Sequence, residues 1–340
     1  MYHNNVTLSR GLLPIFSDFC GTCLPPLQSG GISNIIATES TADFPAESWF
    51  FMNLCDINVI KPLLQKHGFR FSKSKGQNFL TQRWVPREIA EGAGIDEGCG
   101  VLEVGPGIGP LTQALCENAG KVVSVEVDTT LQPILEETMG GTENFTLIFG
   151  DILKTDIPAL VKTHFAGLRP MACANLPYYI TSPVLSALLE SRCFESVTVM
   201  VQKEVAQRIC AQPGSKDYSA FSLFCQYYAD PEILFDVPPS CFIPQPKVTS
   251  AVITLRCRTA PPCPIADEKL FFQVVHASFA QRRKTLVNGL SSGFGSLSKA
   301  QIIECITAAG LPETVRGETL GIPEFARVAE EIGTALKQDK

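Results

Sequence analysis

Asn175, Leu176, Pro177 and Tyr178 place an amide, a proline-stiffened backbone and an aromatic face in four successive residues. They follow the apolar run Met171-Ala172-Cys173-Ala174, so they occupy the mouth of a strand rather than its middle. An amide oxygen and a backbone carbonyl can hold an amine-bearing ring by its edge while an aromatic side chain covers its face. A nucleobase amino group suits such a clamp. An Asn-x-Pro turn also forms for purely local reasons, because both residues favour turns. The tetrapeptide therefore takes its meaning from its surroundings.

A second set of residues points to a bound nucleoside. Gly105-Pro106-Gly107-Ile108-Gly109 follows an apolar strand and opens a helix. Glycines let backbone approach a ligand closely, and a helix start accepts partial negative charge. The dinucleotide fingerprint would need a third glycine where this chain has Pro110. The G-x-G-x-G spacing fits a nucleoside cofactor without pyrophosphate, such as S-adenosylmethionine. Glu126 closes the next strand, where it can accept from ribose hydroxyls. Asp151, after Gly150, closes the third, where it can accept from an adenine amino group. Both acids lie on the carboxyl edge, where ligands bind in open α/β sheets.

The elements that must position these residues are read from alternating apolar runs and helical periods. Strands are expected at Gly100–Val104, Lys121–Val127, Phe145–Phe149, Met171–Asn175 and Ser196–Gln202. Helices are expected at Leu111–Asn118, Leu131–Thr138, Pro183–Glu190 and Val205–Cys210. That alternation predicts an α/β fold with a doubly wound, mostly parallel sheet. Two more strands, Glu232–Val237 and Thr249–Arg256, flank a proline-rich loop. After Ala260-Pro261-Pro262 helical patterns dominate, which predicts a small C-terminal α-helical domain. An amphipathic helix over Ile57–His67 ends at Gly68.

Composition limits the partners. At 340 residues the chain can form two domains, and 45% hydrophobic against 18% charged residues is globular. No run approaches the 18 apolar residues of a membrane span, so no membrane partner is expected. The net charge of −6 speaks mildly against nucleic acid. It hides a local bias, however: Lys61, Lys66, Arg70, Lys73, Lys75, Arg83 and Arg87 come without an Asp or Glu between Ile57 and Arg87. Lys247 and Arg282-Arg283-Lys284 add to it, and a polyanion surface becomes plausible. Of thirteen cysteines only Cys20 and Cys23 have C-x-x-C spacing, and with four histidines no metal site is expected. The odd cysteine number and the lack of a secretory signal predict reduced thiols in a cytoplasmic protein.

From about Asn58 onward the chain resembles the small-subunit ribosomal RNA adenine N6,N6-dimethyltransferases (the KsgA/RsmA family). The matching stretches are Lys75-Gly76-Gln77-Asn78-Phe79-Leu80, Val101 to Gly107, Val125-Glu126, Gly150-Asp151, Asn175 to Tyr178, Phe242 to Ser250 and Phe279 to Leu286. The resemblance implies a Rossmann-like methyltransferase domain over 52–260 and a helical RNA-binding domain over 261–340. It implies S-adenosylmethionine as methyl donor, with Asn78 and Leu80 at its methionine end, Gly105 and Gly107 at its middle, Glu126 on the ribose and Asp151 on the adenine. Asn175 would stand between cofactor and target base. Tyr178 and Phe242 would stack on the two faces of an extruded adenine, and Lys247, Arg282, Arg283 and Lys284 would grip phosphates.

The implied reaction is dimethylation of two adjacent adenines in a small-subunit rRNA hairpin loop, by a monomer acting within a pre-ribosomal particle. Two readings compete with it. One is a large-subunit rRNA adenine N6-methyltransferase that confers antibiotic resistance; the other is a non-catalytic RNA-binding assembly or transcription factor on the same fold. The Phe279–Leu286 stretch favours the small-subunit reading, and intact Glu126, Asp151 and Asn175 favour catalysis. Two departures stand out. Tyr179 replaces the Asn of many relatives. Residues 1–51 match nothing in the family and read as a disordered or non-native extension ahead of Met52.

Overall fold

The computed structural model describes residues 52–71, 76–281 and 283–338. The expected N-terminal extension with its Cys20/Cys23 pair, and Lys73, Lys75 and Arg282, lie outside the described residues.

The seven longer strands form where apolar runs were read, and two short ones, at 79–80 and 242–243, were not expected. β1 is Phe79–Leu80, β2 Cys99–Val104, β3 Lys121–Glu126, β4 Phe145–Phe149, β5 Arg169–Asn175, β6 Ser196–Gln202, β7 Ala229–Val237, β8 Phe242–Ile243 and β9 Ser250–Cys257. β2 is buried at every position, as a central parallel strand covered on both faces must be. The main sheet runs in the order β4-β3-β2-β5-β6-β9-β7. Strands β4 to β6 are parallel, and β9 pairs antiparallel with both β6 and β7. The chain winds outward from β2 through β3 to β4, then jumps back to β5 on the other side of β2. That reversal opens a crevice beyond the carboxyl ends of β2 and β5.

Helices cover the sheet: α1 Ile57–Lys66, α2 Trp84–Gly92, α3 Pro110–Cys116, α4 Gln132–Met139, α5 Ile157–His164, α6 Thr181–Glu190 and α7 Lys203–Ile209. Helix α1 starts where the Asp56 carboxylate accepts from Asn58 N at 2.8 Å, and buries Ile60, Leu63 and Leu64. The sequence reading missed α5. Its short Pro-containing run is weakly periodic, yet a parallel β4-to-β5 connection needs a crossover element. β1 and β8 form a separate two-stranded antiparallel ribbon that pairs Phe79 with Ile243 and Leu80 with Phe242.

The chain divides into two compact units. One comprises the sheet region, 52–206 with 229–257; the other takes 258–338 together with 207–228. In the second unit lie α8 Ala220–Tyr228, α9 Glu268–Phe279, α10 Leu286–Gly293, α11 Lys299–Ala308 and α12 Ile322–Gln338. Its core is aromatic: Phe224 meets Phe272 at 5.7 Å and Tyr227 meets Phe271 at 5.5 Å between ring centroids. Helix α11 begins with a reciprocal cap, Ser298 accepting from Gln301 N and Gln301 accepting from Ser298 N. Helix α8 escaped the sequence reading because it is buried on nearly every side and mostly apolar, with only Ser222 and Gln226 to mark a polar face.

Candidate active site

The carboxyl ends of β2, β3 and β5 open into a cavity of about 430 Å³, within the usual range for a small-molecule site. Its walls include Asn78, Leu80, Gly105, Gly107, Glu126, Asp151, Asn175, Leu176, Pro177 and Tyr178. The structure thus brings these ten expected residues to one space.

The glycine loop is shaped by positive φ angles. Gly105 has φ +72° and Gly107 φ +62°, both in the left-handed region that side chains rarely enter. A Cβ on Gly107 would stand 3.3 Å from the Phe79 ring, so bare backbone lines the cavity there. Gly105 N donates to Val125 O at 3.0 Å, which ties the loop to β3. Beneath the loop lies Glu103, 1% exposed, which sequence reasoning passed over. It accepts from Thr112 Oγ1 at 2.7 Å and from the Ser124 hydroxyl, linking α3 to β3. Its Oε1 has no partner, and burial pushes its carboxyl up to about 7. No sequence signal separated it from an ordinary strand residue.

Glu126 is 5% exposed and accepts from Asp128 N at 2.8 Å and from the Gly107 backbone. Burial raises its carboxyl above the usual range, and these N–H groups partly offset that. Asp128, also buried and cavity-lining, was missed. It accepts from Gln77 Nε2 at 2.7 Å and from Thr130 N at 3.1 Å, and so staples the 76–78 loop to the end of β3. The signal was available: Asp followed by Thr-Thr is a turn-initiating pattern. Asp151 is half-exposed, accepts from Leu153 N at 3.0 Å, and lies 3.6 Å from the Lys154 ammonium.

At the other end of the cavity Asn175 Nδ2 donates to Asn78 O at 3.3 Å, and Asn78 Nδ2 donates to Gly76 O at 3.1 Å. With its amino group committed, Asn175 keeps Oδ1 as an acceptor for a ligand. Leu176 N donates to Met200 O, and the Leu176 carbonyl takes no hydrogen bond from the described residues. Pro177 O accepts from Ile180 N at 3.1 Å and closes the turn. Tyr178 exchanges a hydrogen bond with the Ser250 hydroxyl at 2.8 Å; burial keeps its phenol neutral.

Phe242 sits elsewhere. Its pairing with Leu80 carries it into the core beside Val85 and Ile89, where it is 3% exposed and behind the cavity wall. As placed it supports Leu80 and offers no face to a base. Among the basic residues, Lys66 is bound to Glu137 at 2.7 Å. Lys61, Arg70, Arg83, Arg87 and Lys247 are exposed in the sheet unit, Arg283 and Lys284 in the helical unit, and none forms an ion pair among the described residues.

The donor set fits S-adenosylmethionine. Bare backbone at Gly105 and Gly107, the buried carboxylate of Glu126 and the half-exposed carboxylate of Asp151 line one cavity, a combination of close backbone approach and strand-end acceptors that suits a nucleoside cofactor. Sheet order, glycine loop and strand-end acids together define a Rossmann-like methyltransferase. Residues 68–326 match the family described as Ribosomal RNA adenine dimethylase, and the chain belongs to that family. It is 48% identical over 278 residues to the Ribosomal RNA small subunit methyltransferase A of Lachnoclostridium phytofermentans, covering 81% of this chain and 96% of the relative. The protein of the same name from Alkaliphilus oremlandii is 47% identical over 277 residues, with the same coverage of 81% and 96%. Among solved structures, the 23S rRNA methyltransferase ErmE aligns with TM-score 0.57 at 26% identity, over 75% of this chain and 99% of that one. A dimethyladenosine transferase from Plasmodium falciparum shares the fold with TM-score 0.63 at 23% identity, over 75% and 97%.

Proposed function

We propose that this chain transfers methyl groups from S-adenosylmethionine to the exocyclic N6 of two adjacent adenines in a hairpin loop of small-subunit rRNA. The observation that carries the reading is the pair of open acceptors, Asn175 Oδ1 and the Leu176 carbonyl, on the same cavity as the glycine loop. When bound, the cofactor supplies an electrophilic methyl group on a sulfonium. Asn78, Leu80, Gly105, Gly107, Glu126 and Asp151 would hold it.

The adenine N6 is a poor nucleophile because its lone pair is delocalised into the ring. Asn175 Oδ1 and the Leu176 carbonyl would each accept one N6–H, drawing the nitrogen toward a tetrahedral shape with its lone pair turned to the methyl. Tyr178, anchored by Ser250, would cover one face of the base. This is catalysis by orientation and electrostatics, without a covalent enzyme intermediate. The N6 proton becomes acidic once the nitrogen is alkylated, so no strong base is required.

On this reading 52–260 is the methyltransferase domain and 261–340 binds RNA. Lys247, Arg282, Arg283 and Lys284 grip phosphates of a pre-ribosomal particle, and the protein works as a cytoplasmic monomer. Exposed, unpaired Lys247, Arg283 and Lys284 support the phosphate role. The test incubates the full chain, and Asn175→Ala, with labelled S-adenosylmethionine and unmethylated ribosomal subunits. Label is expected in small-subunit adenines with the native chain only. Label confined to the large subunit would replace this reading with the resistance-methyltransferase one; no label in either would favour a binding factor.

A further inference from the structure

Asn175 lines the cavity and can offer Oδ1 to a ligand because its amino group is taken up elsewhere. A side-chain amide has a donor end and an acceptor end, and a half-turn about its last bond exchanges them. The N6 of adenine carries two N–H groups and needs the acceptor end. Asn78 O decides which end points inward, for it accepts from Asn175 Nδ2 at 3.3 Å. The orientation of Asn175 therefore depends on where the Asn78 carbonyl stands.

Sheet pairing does not fix that carbonyl. β1 begins at Phe79, so its ladder with β8 stops one residue short of Asn78. Other contacts hold the segment. Asn78 Nδ2 donates to Gly76 O at 3.1 Å, which ties the segment to itself. Gly76, at φ +59°, backs against the 175–178 turn: a Cβ there would stand 3.4 Å from Pro177 Cβ. Gln77 supplies the tie to a distant element. Its Nε2 donates to Asp128 Oδ2 at 2.7 Å, while Asp128 Oδ1 accepts from Thr130 N at 3.1 Å and Thr130 Oγ1 at 2.6 Å. Asp128 N in turn donates to Glu126 Oε1 at 2.8 Å. A continuous run of hydrogen bonds and peptide units thus joins Glu126, on the cofactor side, to Asn175, on the base side. Gln77 is its middle member.

We propose that Gln77 is a positioning residue for methyl transfer: by clasping Asp128 it fixes the Asn78 carbonyl, which holds the Asn175 amide with Oδ1 toward the adenine amine. The proposal rests on the adenine-methylation reading above. Gln77 touches neither the base nor the transferred methyl in this role; it acts through Asn175. A shift of about 1 Å in the Asn78 carbonyl is enough to matter, since misplacing a reacting group by that much can cost on the order of a hundredfold in rate. Once the Asn78 carbonyl withdraws, nothing favours one end of the amide over the other, and for part of the time a donor faces a donor.

The test measures kcat and cofactor Kd for the full chain, with labelled S-adenosylmethionine and unmethylated small subunits. Gln77→Leu keeps a side chain of similar size that cannot donate. It should lower kcat about tenfold at saturating cofactor and RNA, while the cofactor Kd by calorimetry stays near the native value and shows the variant to be folded. In an Asn175→Ala background the same substitution should cost nothing further, because the group it acts through is gone. Gln77→Glu sets two acids against each other and should lower kcat as far as Gln77→Leu. Adding Asp128→Asn to Gln77→Glu reverses donor and acceptor, with Oδ1 still accepting from Thr130 and Nδ2 now donating, and should restore kcat. An unchanged kcat in Gln77→Leu, a loss confined to cofactor Kd, a full further loss in the Asn175→Ala background, or no recovery in the reversed pair would each overturn the proposal. A native chain that methylates no rRNA would overturn the underlying reading of function instead.

Discussion

At the glycine-loop end of the cavity the acidic side chains already have hydrogen-bond partners inside the protein: Glu103 with Thr112 and Ser124, Glu126 with Asp128 N, Asp128 with Gln77. At the Asn175–Leu176 end the Asn175 Oδ1 and the Leu176 carbonyl accept no hydrogen bond from the described residues. The first end is a preformed mould whose shape depends on buried polar links; the second is a set of open valences. A site assembled this way binds one ligand by complementarity and acts on another by leaving bonds to be made. Rigidity at one end and unmade hydrogen bonds at the other are different demands, and the chain meets them with different residues.

Substitutions should separate the two ends. Asn175→Ala should lower methyl transfer roughly 100- to 1,000-fold, as for other positioned groups that hold a reacting atom, while calorimetry shows far less change in cofactor affinity. Equal losses in both would erase the distinction. Glu103→Gln should act on the mould through stability. The native state holds the Glu103 proton more tightly than the unfolded chain, so stability falls as pH rises from about 4.5 to about 7 and then levels off. Removing that carboxyl should flatten this decline by on the order of 2–3 kcal/mol between pH 5 and pH 8 in chemical denaturation. Parallel pH profiles for the two proteins would place the buried charge outside the energetics of the loop.

Gly107→Ala puts a side chain at φ +62° against Phe79. Left-handed backbone costs a side chain about 1–2 kcal/mol, or roughly tenfold in cofactor affinity, with RNA binding in the absence of cofactor unchanged. The smallest effect belongs to neither end. Arg283→Ala with Lys284→Ala should reduce the slope of log K for RNA against log salt by about 1–2, weakening all sequences alike. A slope equal to that of the native chain would remove these residues from the RNA surface.

Much of the mould was legible in the sequence because it is written locally. Strand-length apolar runs, a G-x-G-x-G spacing and acids at strand ends each need only a few consecutive residues, and parallel pairing then brought Glu126, Asp151 and Asn175 to one edge. What escaped depends on contacts across the chain. Glu103 reads as one residue of an apolar strand until Thr112 and Ser124 are seen around it. Phe242 sits in a proline-rich stretch that looked like surface, and its pairing with Leu80, far away in sequence, buries it. Residues 207–228 carry no local mark that they pack with the C-terminal helices rather than with the sheet that precedes and follows them.

That arrangement of the chain sets an order of events during synthesis. β6 is almost wholly buried in the finished sheet, with β9 along its outer edge, yet residues 203–249 must emerge before β9 does. Until then the Ser196–Gln202 backbone has an unpaired flank of the kind that invites pairing with another chain. Helix α8 emerges in the same interval, with an aromatic surface whose partners on α9 are still to be made. A nascent chain that has passed Tyr228 but not yet reached Ser250 thus exposes both an open strand and an aromatic helix without its later partners, and this interval is where slow translation or a missing chaperone would do most harm.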